Sequence, residues 1–164
     1  MTGTSRDYTD RLVDLECLRT IAKPVGEVEV SLSSISGTTR RVTGMQKAIQ
    51  RYVTLLLTPT ASRLFPNSQG NQLYDSLRAG TVSDAGYLRH LFNVASIAAI
   101  DAINKDDYNT EKFGDIPDDE RIATVELDGV TLDYQTSTVG LSLIFRTVAG
   151  SDYTYILPVS TEQR

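Results

Sequence analysis

An α+β fold is the reading of this chain: three helical segments packed on a mainly antiparallel sheet of about four C-terminal strands, with an N-terminal arm. Two observations carry it. Between Met45 and about Lys105 apolar residues recur at three-and-four spacing, whereas from Ala123 onward they alternate with polar ones, the period of a half-buried strand. Helices that precede the strands instead of alternating with them point to a helical layer on one face of an antiparallel sheet. Residues 1–40 are accordingly read as an arm or edge segment, and residues 41–164 as the domain proper.

Within the first 40 residues, Leu12, Leu15, Leu18 and Ile21 are spaced for a short helix. After the break at Lys23-Pro24-Val25-Gly26, Val28, Val30 and Leu32 alternate with Glu27, Glu29, Ser31 and Ser33 as a strand would. The small-residue run from Ser33 to Thr39 then reads as a linker. Two outcomes stand open for this piece: an arm that orders against a partner, or an edge strand of the same domain.

The first domain helix places Met45, Ala48, Ile49, Tyr52, Val53, Leu56 and Leu57 on one face, opposite Gln46, Lys47, Gln50 and Arg51. Thr43 and Gln46 have capping-box spacing, and Thr58-Pro59 is a stop because proline disfavours a helical residue before it. The turn Arg63-Leu64-Phe65-Pro66-Asn67-Ser68-Gln69-Gly70 leads to a short amphipathic segment, Asn71 to Ala79, ending at Gly80. A long helix starts near Ser83 or Asp84, with Leu88, Leu91, Ala95, Ala98, Ala99 and Ala102 as its buried face. Run to Lys105, it spans roughly 33 Å at about 1.5 Å per residue.

In the last zone Ala123, Val125 and Leu127 alternate before Asp128-Gly129, a dipeptide suited to a tight hairpin, and Val130, Leu132 and Tyr134 after it. Val139, Leu141, Leu143 and Phe145 mark the next strand, Ala149-Gly150-Ser151-Asp152 a turn, and Tyr153, Tyr155, Leu157 and Val159 a final strand. A final edge strand would be open to pairing with another chain.

Composition narrows the function classes. No apolar run approaches the roughly 20 residues of a membrane span. The N-terminus, MTGTSRDYTDRLVDLECL, has no basic start followed by an apolar core, so the expectation is a chain that stays in the cytoplasm where it is made. Cys17 and His90 are the sole cysteine and histidine, too few for an intrachain disulfide or the usual zinc sets. His90 suits a surface or packing role. Asp106-Asp107 and Asp118-Asp119-Glu120 read as solvated acidic pairs, and no metal or cofactor is expected. The net charge of −5 makes nucleic acid an unexpected partner.

The order of motifs resembles a known family. A helix ending Leu56-Leu57-Thr58-Pro59, then Arg63-Leu64-Phe65-Pro66, Gly70 and Leu73-Tyr74-Asp75-Ser76-Leu77, is similar to the lysozyme-like baseplate wedge family of contractile tails. That family occurs in phages, pyocin-like particles and type VI secretion systems. It usually carries phenylalanine directly before the glycine, where Gln69 stands here. The helix-to-sheet junction of the family reads Glu-Pro-Arg-Ile; here Asp119, Glu120, Arg121 and Ile122 take those places, so proline is lost. The likeness covers about Val42 to Val159.

What the resemblance implies is a structural wedge subunit that links the baseplate wedge to the first sheath ring and templates sheath assembly by C-terminal strand pairing. Its partners would be other wedge subunits and the sheath protein, with tube or hub proteins as further candidates, and its location the virion tail baseplate. The implied partner-binding residues are Asp119, Glu120, Arg121, Ile122, Leu141, Leu143, Phe145, Tyr153, Tyr155 and Leu157; Arg63, Phe65, Pro66 and Gly70 would fix the turn. A guanidinium can grip a carboxylate or carbonyls in a fixed fork, which suits Arg121 as an anchor, and a solvated strand-start arginine is the equal alternative. Alternatives are a type VI baseplate component, a small cytoplasmic anti-adaptor of the same scaffold, or a cell-wall lysozyme. The last conflicts with the sequence: the phage-lysozyme spacing Glu-x8-Asp-x5-Thr is absent, as are Gly-x-Ser-x-Gly, a Walker loop and His-Glu-x-x-His. No catalytic residue is assigned and no enzyme is expected.

Overall fold

The change of period near residue 120 is the main division of the fold. The computed structural model describes residues 44–60, 70–82, 84–110, 116–133 and 138–160, and the backbone of four short N-terminal strands. Those strands are β1 (Asp14–Leu15), β2 (Arg19–Ala22), β3 (Val28–Ser31) and β4 (Arg41–Val42). Three helices follow among the described residues, α1 (Gly44–Leu56), α2 (Gln72–Arg78) and α3 (Ala85–Thr110), and then β5 (Ile122–Asp133), β6 (Thr138–Thr147) and β7 (Asp152–Ser160). Helices and C-terminal strands are segregated along the chain, the α+β arrangement. Thr43, Arg63, Phe65, Pro66 and Tyr134 lie outside the described residues.

The sheet departs from expectation in two ways. Asp128-Gly129 is not a hairpin turn: β5 runs through it, with Leu127 opposite Leu143 and Gly129 opposite Ser142, so Asp128 is the extra residue of a bulge. Among the described residues the glycines with positive φ are Gly44, Gly80 and Gly150, so Gly129 does not supply the left-handed backbone a tight hairpin needs. The C-terminal part therefore contributes three strands, β5 to β7, where about four were expected. In addition, the sheet order is β2-β3-β7-β6-β5, with β3 parallel to β7 and the other neighbours antiparallel. β7 thus has a neighbour on each side, and the end strands are β2 and β5. Leu15 and Ile21, expected on a short helix, stand in β1 and β2, and β1 pairs with β4, while Leu12 and Leu18 lie outside the described residues.

The helices cover one face of this sheet. Along β6, Val139, Leu141, Leu143, Phe145 and Thr147 are buried while Arg146 is exposed, and Leu157 and Val159 of β7 join the same core. From α1 come Ala48, Ile49, Tyr52, Val53 and Leu56. Gln50, expected on the solvent side, is also buried. From α3 come Leu88, Leu91, Phe92, Ala95, Ala99 and Ile103. Ala98 is exposed and Ala102 half-buried, because the inward stripe is centred on Ala95 and Ala99 and one residue turns the helix by about 100°.

Tyr52 ties the layers together. Its hydroxyl donates to Ser96 Oγ on α3 at 2.8 Å, and its ring meets Phe145 of β6 edge-on, with centroids 5.1 Å apart. Phe145 continues edge-on to Tyr155 of β7 at 5.7 Å. Such pairs contribute about 0.5–1.5 kcal/mol beyond the area they bury. Burial raises the Tyr52 phenol far above the ordinary tyrosine value, against a smaller opposing effect of the Ser96 hydrogen bond.

A second joint connects α1 to α2. The α1 ladder ends with Leu57 N donating to Val53 O at 2.9 Å, after which Pro59 forbids continuation. Asn71 then serves both helices. Its Nδ2 donates to the carbonyls of Leu55 and Leu56 at 3.1 and 2.8 Å, occupying acceptors at the end of α1, while its Oδ1 accepts from Leu73 N and Tyr74 N at the start of α2. Its own N–H donates to Thr58 O at 3.0 Å. Gly70 precedes it against Pro59, and a Cβ there would stand 1.7 Å from the Pro59 carbonyl oxygen, so only glycine fits. Asp75 closes the clamp by accepting from Thr60 N, at 3.2 Å, and from Thr60 Oγ1. Both stems of segment 61–69 are thereby fixed.

Two predictions follow from these joints. Tyr52→Phe leaves Ser96 Oγ buried without its donor and costs about 1–3 kcal/mol at neutral pH in urea denaturation. The folded phenol keeps its proton above the unfolded value near pH 10, so its contribution is complete below about pH 10 and falls by about 1.4 kcal/mol per unit above it. Tyr52→Phe should therefore flatten the alkaline loss of stability; an unchanged slope would refute the assignment. At the other joint, Asn71→Asp retains a good N-cap yet sets a carboxylate against two carbonyls. It should destabilise at least as much as Asn71→Ala, and a wild-type melting curve for it would count against the double cap.

Candidate functional site

The described part of the segment between α3 and β5, residues 116–121, is fastened to the turn between β6 and β7. Glu120 N donates to Pro117 O at 2.9 Å to form the loop's own turn. Across the gap, Ala149 N donates to Asp118 O at 3.2 Å and Val148 N to Arg121 O at 3.1 Å. The turn itself is built around Thr147, which is buried: its N–H donates to Ser151 O at 2.9 Å, and its Oγ1 accepts from Ser151 N at 3.0 Å. Gly150, at φ 81°, donates to Thr147 O at 3.0 Å and occupies the backbone region that disfavours a side chain. Loop and turn thus form one surface at one end of the sheet.

Next to it, Arg146 and Asp152 face each other across β6 and β7 and pair through Nε–Oδ1 at 2.9 Å and Nη2–Oδ2 at 3.4 Å. The hydrogen bond from Arg146 holds the Asp152 carboxyl below its ordinary value, and the same bond raises the arginine. Both side chains are about half exposed, so the pair orders the surface more than it stabilises the fold.

The expected partner-binding residues divide into three groups. Asp119, Glu120 and Arg121 are half-buried in the loop and engage other groups of the chain, while Asp118 beside them is exposed. Ile122, Leu141, Leu143, Phe145 and Leu157 are core residues: Leu141, Leu143 and Phe145 have no exposed surface at all. Their side chains cannot meet a partner, because strand alternation turns them under the helices. Tyr155 is half-buried on Phe145, and Tyr153 is exposed at the strand's start. Of the turn residues, Gly70 has the tight approach described above.

Val148 was not anticipated. It is 52% exposed in the turn that follows β6, whose residues at 139, 141, 143, 145 and 147 point inward. The available signal was phase, since an apolar residue directly after an inward threonine falls on the outer side. Together, loop 116–121, Val148 and Tyr153 offer backbone, acidic, guanidinium and apolar groups suited to a protein partner. Among the described residues no group of three His, Cys, Asp or Glu side chains is placed to hold a metal ion, and His90 is exposed on α3. No helix is long and apolar enough to cross a membrane among the described residues. No family model, curated protein or solved structure matches the chain.

Proposed function

We propose that this protein is a structural baseplate wedge subunit of a contractile tail, standing between the wedge and the first sheath ring. The observation that carries the reading is the hydrogen-bonded unit of loop 116–121 and the β6–β7 turn. It sets Arg121, at the place of the family's junction motif, beside the exposed apolar Val148. Arg121 and Asp118 would engage polar groups of a neighbouring wedge subunit while Val148 supplies the water-excluding contact. Turnover plays no part.

Sheath strands would add to the sheet by main-chain pairing, but not on β7, which β3 and β6 flank. Of the two end strands, β5 is a poor acceptor: its register shifts near Ile122 and again near Asp128, and Arg89 Nη1 donates to the Leu127 carbonyl at 3.0 Å. β2 is therefore the acceptor in this proposal, and the N-terminal arm becomes the element through which the sheet grows. Repetition around a ring would add avidity to each contact.

Reconstituting the particle from this chain, its wedge neighbours and the sheath protein tests both halves. Arg121→Ala and, separately, Val148→Glu should block entry into the wedge with the melting temperature of the Val148 variant within a few degrees of wild type; normal entry of both variants would overturn the assignment of this surface. Proline at Thr20 and proline at Ile21 remove N–H groups pointing to opposite sides of β2, so one of the two should stop sheath addition while wedge entry continues. If neither does, β2 is not the acceptor.

A further inference from the structure

α3 is apolar on two opposite sides. Away from the core, Tyr87, Val94 and Ile97 are 40%, 58% and 64% exposed. Isolated exposed aliphatics are ordinary, but Val94 and Ile97 lie one turn apart on one stripe. With His90 and Asp101, both exposed, they mark positions 87, 90, 94, 97 and 101, the alternating three-and-four spacing of a helix–helix seam.

We propose that this stripe pairs, antiparallel, with the same stripe of a second copy of the chain about a two-fold axis between Val94 and Ile97. The stripe is self-complementary in that arrangement. Val94 faces Ile97 of the second copy and His90 faces Asp101, each contact occurring twice as an isologous interface requires. The apolar pairs occupy the centre, and an imidazole meets a carboxylate at each flank. A parallel arrangement would instead set Asp101 against Asp101, which disfavours it. This match of apolar centre and opposite flanks is what selects a second copy over an unrelated helix. One helix face is a small contact beside the roughly 1,000 Å² of a stable interface, so the dimer is weak and depends on concentration. None of its residues belongs to the surface proposed for the wedge.

Sedimentation equilibrium of the full chain in reducing buffer, which keeps Cys17 from linking copies, is the test, from micromolar to millimolar protein. The wild type should show a reversible monomer–dimer equilibrium. Ile97→Glu should weaken it by roughly tenfold or more with unchanged helical circular dichroism, since the side chain lies outside the core. His90→Asp should weaken it as well, and adding Asp101→Lys should restore it by re-creating opposite charges at both flanks. A wild type that stays monomeric throughout, a dimer indifferent to Ile97→Glu, or a double variant that regains nothing would overturn the proposal; the first result would leave the stripe to a helix of another protein.

Discussion

The contact of Tyr52 with Ser96 and Phe145 is the constraint on which the remaining packing depends, because it is where α1, α3 and the central strand β6 meet. A phenol is suited to this place. Its ring fills the interlayer space, and its single hydroxyl is satisfied by one partner on the neighbouring helix, so a polar atom is buried without a vacancy. The interaction also fixes register: Ser96 must face α1 for the bond to form, and that rotation of α3 sends Phe92, Ala95 and Ala99 to the core and Val94 and Ile97 to the outside. The two-sided character of α3 follows from this one angular choice.

Much of the architecture was legible because burial on one face imposes periods that a reader can count. The α1 stripe from Ala48 to Leu56 and the alternation from Val139 to Phe145 are such cases. What was not legible depended on contacts distant in sequence. Gln50 is buried against the expectation for a polar side, and Asn71 bridges two helices by reaching back 15 and 16 residues to α1 carbonyls. Neither is encoded in a local window. Asp128-Gly129 misled for a different reason: the dipeptide permits a hairpin but also permits a bulge, and the continuous pairing of β5 with β6 on both sides of it decides for the latter.

The candidate site was half legible in the same sense. Arg121 and its acidic neighbours could be named from their order before the first strand, yet Leu141, Leu143, Phe145 and Leu157 were chosen for strand membership alone. A strand's backbone and its inward side chains answer to different constraints. Pairing uses main-chain groups in the plane of the sheet, while alternation sends every second side chain beneath the helices. Val148, in the turn directly after the inward Thr147, falls on the outer side.

Strand order then limits how such a sheet can be extended. β6 and β7 are hydrogen-bonded on both flanks, so a new strand could join them only by displacing an existing one, at the cost of the ladder already formed. Growth at β5 meets two register shifts within twelve residues, and each shift throws the next donor or acceptor out of step with a regular incoming strand. Growth at β2 meets neither obstacle. The parallel β3–β7 pairing matters here as well, because it reverses the direction in which the N-terminal hairpin runs relative to an antiparallel addition and so sets the polarity an incoming strand must adopt. Under the proposed role, a sheet that is irregular on one flank and regular on the other would extend in a single direction, as a template requires.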